Sequence, residues 1–225
     1  MNSPIAPHID HTLLKAQASR IDYERLCQQA IDHQFYSVCV PPFWVEFCRK
    51  QLAGSPCKTI TVVGFPLGYQ LSSTKVQETR ALIDLGAQEI DMVLNVSAAL
   101  SGDWGAVQRD VELVREASLG TPLKVIVETC YFSPSDRDRA ALISEAAGAN
   151  FIKTSTGFGT AGAEVSDIKR WRSILKSTTQ IKASGGIKTR ADAQAMLAAG
   201  ASRLGTSASV DIVLGHSSNE SQNGY

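Results

Sequence analysis

The feature that most constrains this chain is an alternation, repeated eight times, of a short apolar run and a longer segment with helical spacing. The runs fall at Ile9-Asp10, 37–40, 59–63, 89–93, 123–128, 151–154, 180–183 and 202–205. The segments between them carry helix signals. Ser19 or Asp22, Ser72 or Ser73, Asp103, Ser133-Pro134 and Thr189 supply N-caps or first-turn residues, and Gly54, Gly86, Gly148 and Gly200 follow the helical stretches. Strict alternation implies a parallel sheet with right-handed crossovers. Eight units in 225 residues predict an α/β fold, a closed eight-stranded parallel (β/α) TIM barrel, as a single domain over residues 1–214. A doubly wound open sheet is the alternative. No G-x-G-x-x-G follows the first run, which weakens the dinucleotide-binding version of that alternative. Residues 215–225 leave the pattern and read as a flexible polar tail.

Composition removes several function classes. The 22 Lys+Arg balance the 22 Asp+Glu, so no global field recruits nucleic acid or an acidic membrane surface. No stretch approaches the ~20 apolar residues that cross a bilayer, and the N-terminus lacks the pattern of a signal peptide. Five cysteines, Cys27, Cys39, Cys48, Cys57 and Cys130, form an odd set with no C-x-x-C pair. That argues against a disulfide framework or zinc site and for a reducing, cytoplasmic setting. His8, His11, His33 and His216 have no metal-ligand spacing and read mostly as surface histidines, so no metal and no cofactor are expected.

Ionisable residues inside apolar runs carry the chemistry. Asp91 lies in Ile-Asp-Met-Val, Lys153 in Ile-Lys-Thr-Ser and Lys182 in Ile-Lys-Ala-Ser. Side chains alternate along a strand, so Lys153 points opposite to Ile152, either into the barrel or, snorkelling from the strand end, to water. In a parallel barrel functional groups collect at the C-terminal ends of the strands, and the strands of Lys153 and Lys182 are consecutive. A free lysine, at a pKa of about 10.4, is neutral in roughly one molecule in 2,500 at pH 7. A second ammonium about 6 Å away adds repulsion on the order of 3 kcal/mol at an effective dielectric of about 20. Burial adds to this, bringing an amine toward the range useful for nucleophilic catalysis. Asp91 then limits the positive charge and can pass protons.

Two glycine-containing turns suggest a phosphate. Ser184-Gly185-Gly186 follows the seventh run, and Gly205-Thr206-Ser207 leads into the last helix. Loops at those positions of a barrel commonly bind phosphate through backbone N–H groups. Thr156-Gly157, after the sixth run, can line the same pocket. Asp10 and Thr12, at the exit of the first run, either orient substrate hydroxyls or cap the next turn. Glu128 lies at the exit end of its run, where it can face the pocket. Lys124, at the early end, reads as structural, and Lys75 with Glu78 reads as a solvated helix pair.

These residues lie in stretches that resemble the deoxyribose-phosphate aldolase family. The stretches are Ile9-Asp10-His11-Thr12-Leu13-Leu14-Lys15, Val63-Gly64-Phe65-Pro66-Leu67-Gly68, Glu89-Ile90-Asp91-Met92-Val93, the run from Phe151 through Lys153-Thr154-Ser155-Thr156-Gly157 to Gly159, and Ile181-Lys182-Ala183-Ser184-Gly185-Gly186-Ile187. The resemblance implies a metal-independent class I aldolase. Such an enzyme cleaves 2-deoxy-D-ribose 5-phosphate to acetaldehyde and D-glyceraldehyde 3-phosphate. It implies that Lys153 forms the Schiff base, that Lys182 perturbs it and that Asp91 exchanges protons. The expected partners are the phosphorylated sugar and acetaldehyde, and a homo-oligomer is the expected assembly. The terminal Tyr225 is an aromatic hydroxyl on a polar tail, a candidate proton relay at the acetaldehyde methyl. A phosphosugar isomerase using Asp91 as base, and a silent sugar-phosphate-binding barrel, are the rival functions.

Overall fold

The computed structural model describes residues 4–216; residues 1–3 and 217–225, Tyr225 among them, lie outside it. Eight parallel strands close in sequence order: β1 (Ile9–Thr12), β2 (Ser37–Val40), β3 (Lys58–Val63), β4 (Glu89–Val93), β5 (Leu123–Ile126), β6 (Phe151–Lys153), β7 (Gln180–Ser184) and β8 (Arg203–Thr206). β8 pairs back onto β1 through Gly205 opposite Asp10, so the sheet has no edge. The expected barrel is borne out, and the open-sheet alternative is excluded.

The helices are α1 (Arg20–Asp32), α2 (Val45–Gln51), α3 (Ser72–Asp84), α4 (Val96–Leu100), α5 (Trp104–Ala117), α6 (Pro134–Ala146), α7 (Val165–Ile174), α8 (Arg190–Ala198) and α9 (Ser209–Leu214). Several begin where a side chain accepts the orphan N–H groups of the first turn: Asp103 from Ala106, Ser133 from Asp136 and Thr189 from Asp192. The main apolar core lies between this helical layer and the outward faces of the strands, around residues such as Val38, Ile90, Val125, Ile152, Ile181 and Leu204. The short α4 has no counterpart in the alternating pattern. The fifth strand also stops at Ile126, earlier than expected, because Glu128 turns into a left-handed conformation (φ 60°, ψ 64°) and opens a 3-10 turn.

Inside the barrel the two sides differ. Leu14, Cys39, Ile60 and Val62 form a separate buried apolar cluster against Phe65, while charged side chains fill the opposite side. Among the described residues no helix is long and apolar enough to cross a membrane.

Two surface expectations need correction. Lys75 is not solvated: it is fully buried, donates to the Val93 carbonyl at 2.9 Å and pairs with Asp110 of α5 at 2.6 Å. Its supposed partner Glu78 instead accepts the Gly64 N–H at 2.9 Å. Helical spacing showed Glu78 on the same face but not the carboxylate from a neighbouring helix. His11 is likewise buried. Its ring nitrogens lie 2.9 Å from Ser209 Oγ and 3.0 Å from Gln29 Oε1. Burial pushes it down to about 4, so it is neutral at pH 7.

Candidate active site

Asp91 is the centre of the charged side. Its strand register places it beside Val62 on one flank and Lys124 on the other, and its carboxylate is fully buried. Three amines converge on it. Lys124 Nζ lies 2.8 Å from Oδ1; Lys153 and Lys182 both reach Oδ2, at 2.9 and 2.8 Å. Lys153 and Lys182 are register partners across β6 and β7, as expected for consecutive strands.

The network continues below. Lys182 also pairs with Asp10 at 2.5 Å, and Asp10 takes Arg203 at 2.9 Å and the Ser37 hydroxyl at 2.6 Å. Glu89 takes Lys124 at 2.6 Å, Arg203 at 3.3 Å and the Tyr36 hydroxyl at 2.8 Å. Arg203 stacks over the Tyr36 ring, 3.3 Å from its centroid. These contacts correct one expectation. Lys124 is not remote from the chemical centre, because it holds the same carboxylate as the two lysines. Asp10 has both its oxygens engaged by cations, Lys182 and Arg203. Barrel strands are tilted and staggered, so a residue early in β5 lies level with one in the middle of β4.

The ion pairs around Asp91 join three carboxylates (Asp10, Glu89, Asp91) to four buried basic side chains (Lys124, Lys153, Lys182, Arg203), and Lys58 reaches Glu89 from the edge at 3.5 Å. A protonated lysine in such a setting is costly unless its partners compensate for the lost hydration. Burial is the main cause that holds Lys153 below its ordinary value, Asp91 opposes it, and Lys182 adds to the lowering. The cationic neighbour is therefore a secondary cause, behind burial. For Lys182 burial works the same way, but Asp10 and Asp91 outweigh it and hold it charged. Burial would raise Asp91, yet Lys124, Lys153 and Lys182 together hold it well below the usual carboxylate range.

These carboxylates give a pH prediction. Asp10, Glu89 and Asp91 are held below their unfolded values of 3.8, 4.5 and 3.8. The unfolded chain therefore takes up protons first as pH falls, and the stability they contribute is present above about pH 5 and lost below it. A urea midpoint that stays unchanged down to about pH 3 would contradict this.

The remaining candidates divide. Gly157 and Gly185, both with positive φ, lie side by side: a Cβ on Gly185 would sit 3.7 Å from Gly157 Cα. Gly186 also has positive φ, and Ser207 is exposed just beyond β8. Gly162 packs directly on Gly185, where an added Cβ would fall 2.2 Å from the Gly185 carbonyl oxygen. Gly205 does something else: a Cβ there would lie 3.0 Å from Lys182 Cε, so it makes room for the lysine stem. Thr12 donates its hydroxyl to the Asp10 carbonyl at 2.8 Å. Thr156 turns its N–H and hydroxyl to Glu128. Among the described residues no group of three or more His, Cys, Asp or Glu could hold a metal ion. Sequence reasoning missed Glu89, Tyr36 and Arg203. For Glu89 the available signal was phase, since it stands two residues before Asp91, an interior position already recognised.

A parallel barrel that buries lysine amines against a carboxylate at the exit of its strands has the architecture of an aldolase. Comparison with known proteins agrees: the model of the DeoC/LacD family aldolase matches residues 5–215. The chain belongs to the DeoC/LacD aldolase family. It is 48% identical over 211 residues to a Deoxyribose-phosphate aldolase of Deinococcus radiodurans, covering 94% of this chain and 96% of that protein. It is 47% identical over 218 residues to Deoxyribose-phosphate aldolase 1 of Vibrio vulnificus, covering 97% and 99%. Among solved structures, the tetrameric deoxyribose phosphate aldolase of Aeropyrum pernix superposes with a TM-score of 0.87 at 32% identity, covering 95% of this chain and 91% of that one.

Proposed function

We propose that this aldolase reversibly cleaves 2-deoxy-D-ribose 5-phosphate to acetaldehyde and D-glyceraldehyde 3-phosphate through a Schiff base on Lys153. The observation that carries the reading is Asp91 Oδ2 shared between Lys153 and Lys182 at 2.9 and 2.8 Å, with Lys153 itself buried. The neutral amine attacks the aldehyde carbon to give a carbinolamine. Loss of water leaves an iminium, which accepts the electron pair as the bond between C2 and C3 breaks and the C3 hydroxyl gives up its proton. D-Glyceraldehyde 3-phosphate departs, the resulting enamine is protonated at carbon, and hydrolysis frees acetaldehyde and the lysine. Asp91, held ionised, and Lys182, held charged, are suited to accept and return these protons, with water as carrier. The backbone N–H groups around Gly157, Gly185, Gly186 and Ser207 are assigned to the phosphate.

The identity of the relatives, the burial of Lys153 and its lowered basicity support this reading. We also infer a cytoplasmic, metal-independent enzyme and, by analogy with the tetrameric Aeropyrum pernix relative, a homo-oligomer. Borohydride added with acetaldehyde is expected to fix a two-carbon adduct on Lys153, located by mass spectrometry of peptides. An adduct on Lys182 would reverse the two roles. Turnover with no adduct would favour a proton-transfer isomerase using Asp91, and ligand-dependent stabilisation with no turnover would favour a binding protein. EDTA is expected to leave the rate unchanged.

A further inference from the structure

Resting on the aldolase reading above, we propose that Glu128 is a positioning residue that holds, through Thr156, the loop carrying Phe158 to the mouth of the barrel. Glu128 follows β5, is buried, and adopts a left-handed backbone although it is not glycine. That conformation is disfavoured for a residue with a Cβ and persists where surrounding contacts impose it. Its carboxylate receives the Thr156 N–H, 3.3 Å from each oxygen, and the Thr156 hydroxyl bonds to Oε2. The same hydroxyl oxygen accepts the Phe158 N–H at 3.0 Å. A chain of hydrogen bonds thus runs from the carboxylate through one side chain to the loop backbone.

The loop lies flat against Glu128. A Cβ on Gly159 would fall 2.7 Å from Cys130 Sγ and 3.2 Å from Glu128 Cδ, so only glycine allows this approach. The Thr129 N–H donates to the Thr154 carbonyl at 3.1 Å and fixes the start of the same loop. The far end of the chain of bonds is Phe158, whose ring meets Phe65 edge to face at 5.3 Å. Two cavities meet at Phe158 and Pro66. One cavity of about 270 Å³ is bordered by Leu14, Val62 and Phe65, and one of about 440 Å³ by Tyr69, Glu128 and Tyr131; Phe158 lines both. With its N–H and O–H turned to Glu128, Thr156 places the loop rather than gripping a ligand. A shift in that loop moves both Phe158 and the neighbouring Gly157.

The test uses the full chain, with Glu128→Ala, Thr156→Val, Thr156→Ser and the Ala/Val double variant. Glu128→Ala and Thr156→Val are each expected to lower kcat/KM by about 10–100-fold, the scale of a small misplacement in an active site. The loss should be similar for 2-deoxyribose 5-phosphate and for unphosphorylated 2-deoxyribose. Thr156→Ser should restore most of the rate, and the double variant should lose little beyond either single one, because both act through one link. Amide exchange at Phe158 should quicken in both damaged variants, a readout independent of turnover. A KM increase confined to the phosphorylated sugar in Thr156→Val would mean that Thr156 holds phosphate, and the proposal fails. Losses that add in the double variant, or a lower Tm with an unchanged rate per borohydride-trapped site, would also overturn it. If Glu128→Ala does not fold, Glu128→Gln, which keeps one acceptor, takes its place and should fall between wild type and Thr156→Val. Should the wild type trap no acetaldehyde, the aldolase reading itself falls, while amide exchange still reports on the clamp.

Discussion

Replacing Lys153 with methionine is expected to lower kcat/KM by about 10⁴-fold or more, the scale seen when a covalent nucleophile is removed, and to abolish borohydride trapping. Its effect on stability should be the opposite of what a lost ion pair suggests. Lys153 is one of three amines crowded on the single Asp91 carboxylate. Its affinity for a proton is lower folded than unfolded, so between the folded value and 10.5 the unfolded chain binds more protons. The lysine therefore destabilises the fold at neutral pH, and that cost fades as pH rises toward the unfolded value. Methionine removes the cost while filling similar space, so the urea midpoint at pH 7 should hold or rise. Lys182→Met should behave differently. Asp10 and Asp91 would each lose a buried partner, at a cost of about 3–5 kcal/mol. Equal destabilisation of the two variants would mean that Lys153 is charged in the resting protein.

The second large effect lies outside the chemical centre. Asp110→Ala is expected to destabilise by about 3–5 kcal/mol, because Lys75 is left buried against the Val93 carbonyl without its counter-ion. Against a typical domain stability of about 5–15 kcal/mol that is a large fraction. Burial already holds Lys75 below its ordinary value, with Asp110 opposing, so the variant should regain stability as pH rises and the amine sheds its proton. A double variant, Lys75→Met with Asp110→Leu, should recover much of the loss, since an apolar pair of similar size is often tolerated where a buried ion pair stood. A single-variant loss below about 1 kcal/mol, as for an exposed pair, would contradict the burial of both groups.

The barrel was legible because each strand is a short apolar run and each helix has a cap or a stop, signals that act within a few residues. The Asp91, Lys153 and Lys182 cluster was legible for a related reason. Each is a charge in an apolar strand, and consecutive strands of a closed parallel barrel are neighbours. What failed depended on register and on contacts between distant segments. Lys124 looked too early in its strand, yet the pairing Asp91↔Lys124 sets the two level. Lys75 showed its helical neighbour Glu78, but its true partner is 35 residues away. His11 sits on a strand buried on both faces, with its outward ring among helical side chains, so lack of metal-ligand spacing gave no reason to place it at the surface. Glu128 continued an apolar run, and nothing local announced that the backbone would reverse its hand there.

The contact between Gly162 and Gly185 bears on how the rim of this barrel can change. With no side chain between them and the Ala163 N–H donating to the Gly185 carbonyl at 3.0 Å, the loops after β6 and β7 rest backbone on backbone. Lengthening one alone would pry it off the other, so a redesign that aims to admit a bulkier acceptor must graft both as a matched cassette. The segment after β3 is tied in the same way to the one after β4, since a Cβ on Gly68 would fall 2.0 Å from the Leu94 carbonyl oxygen.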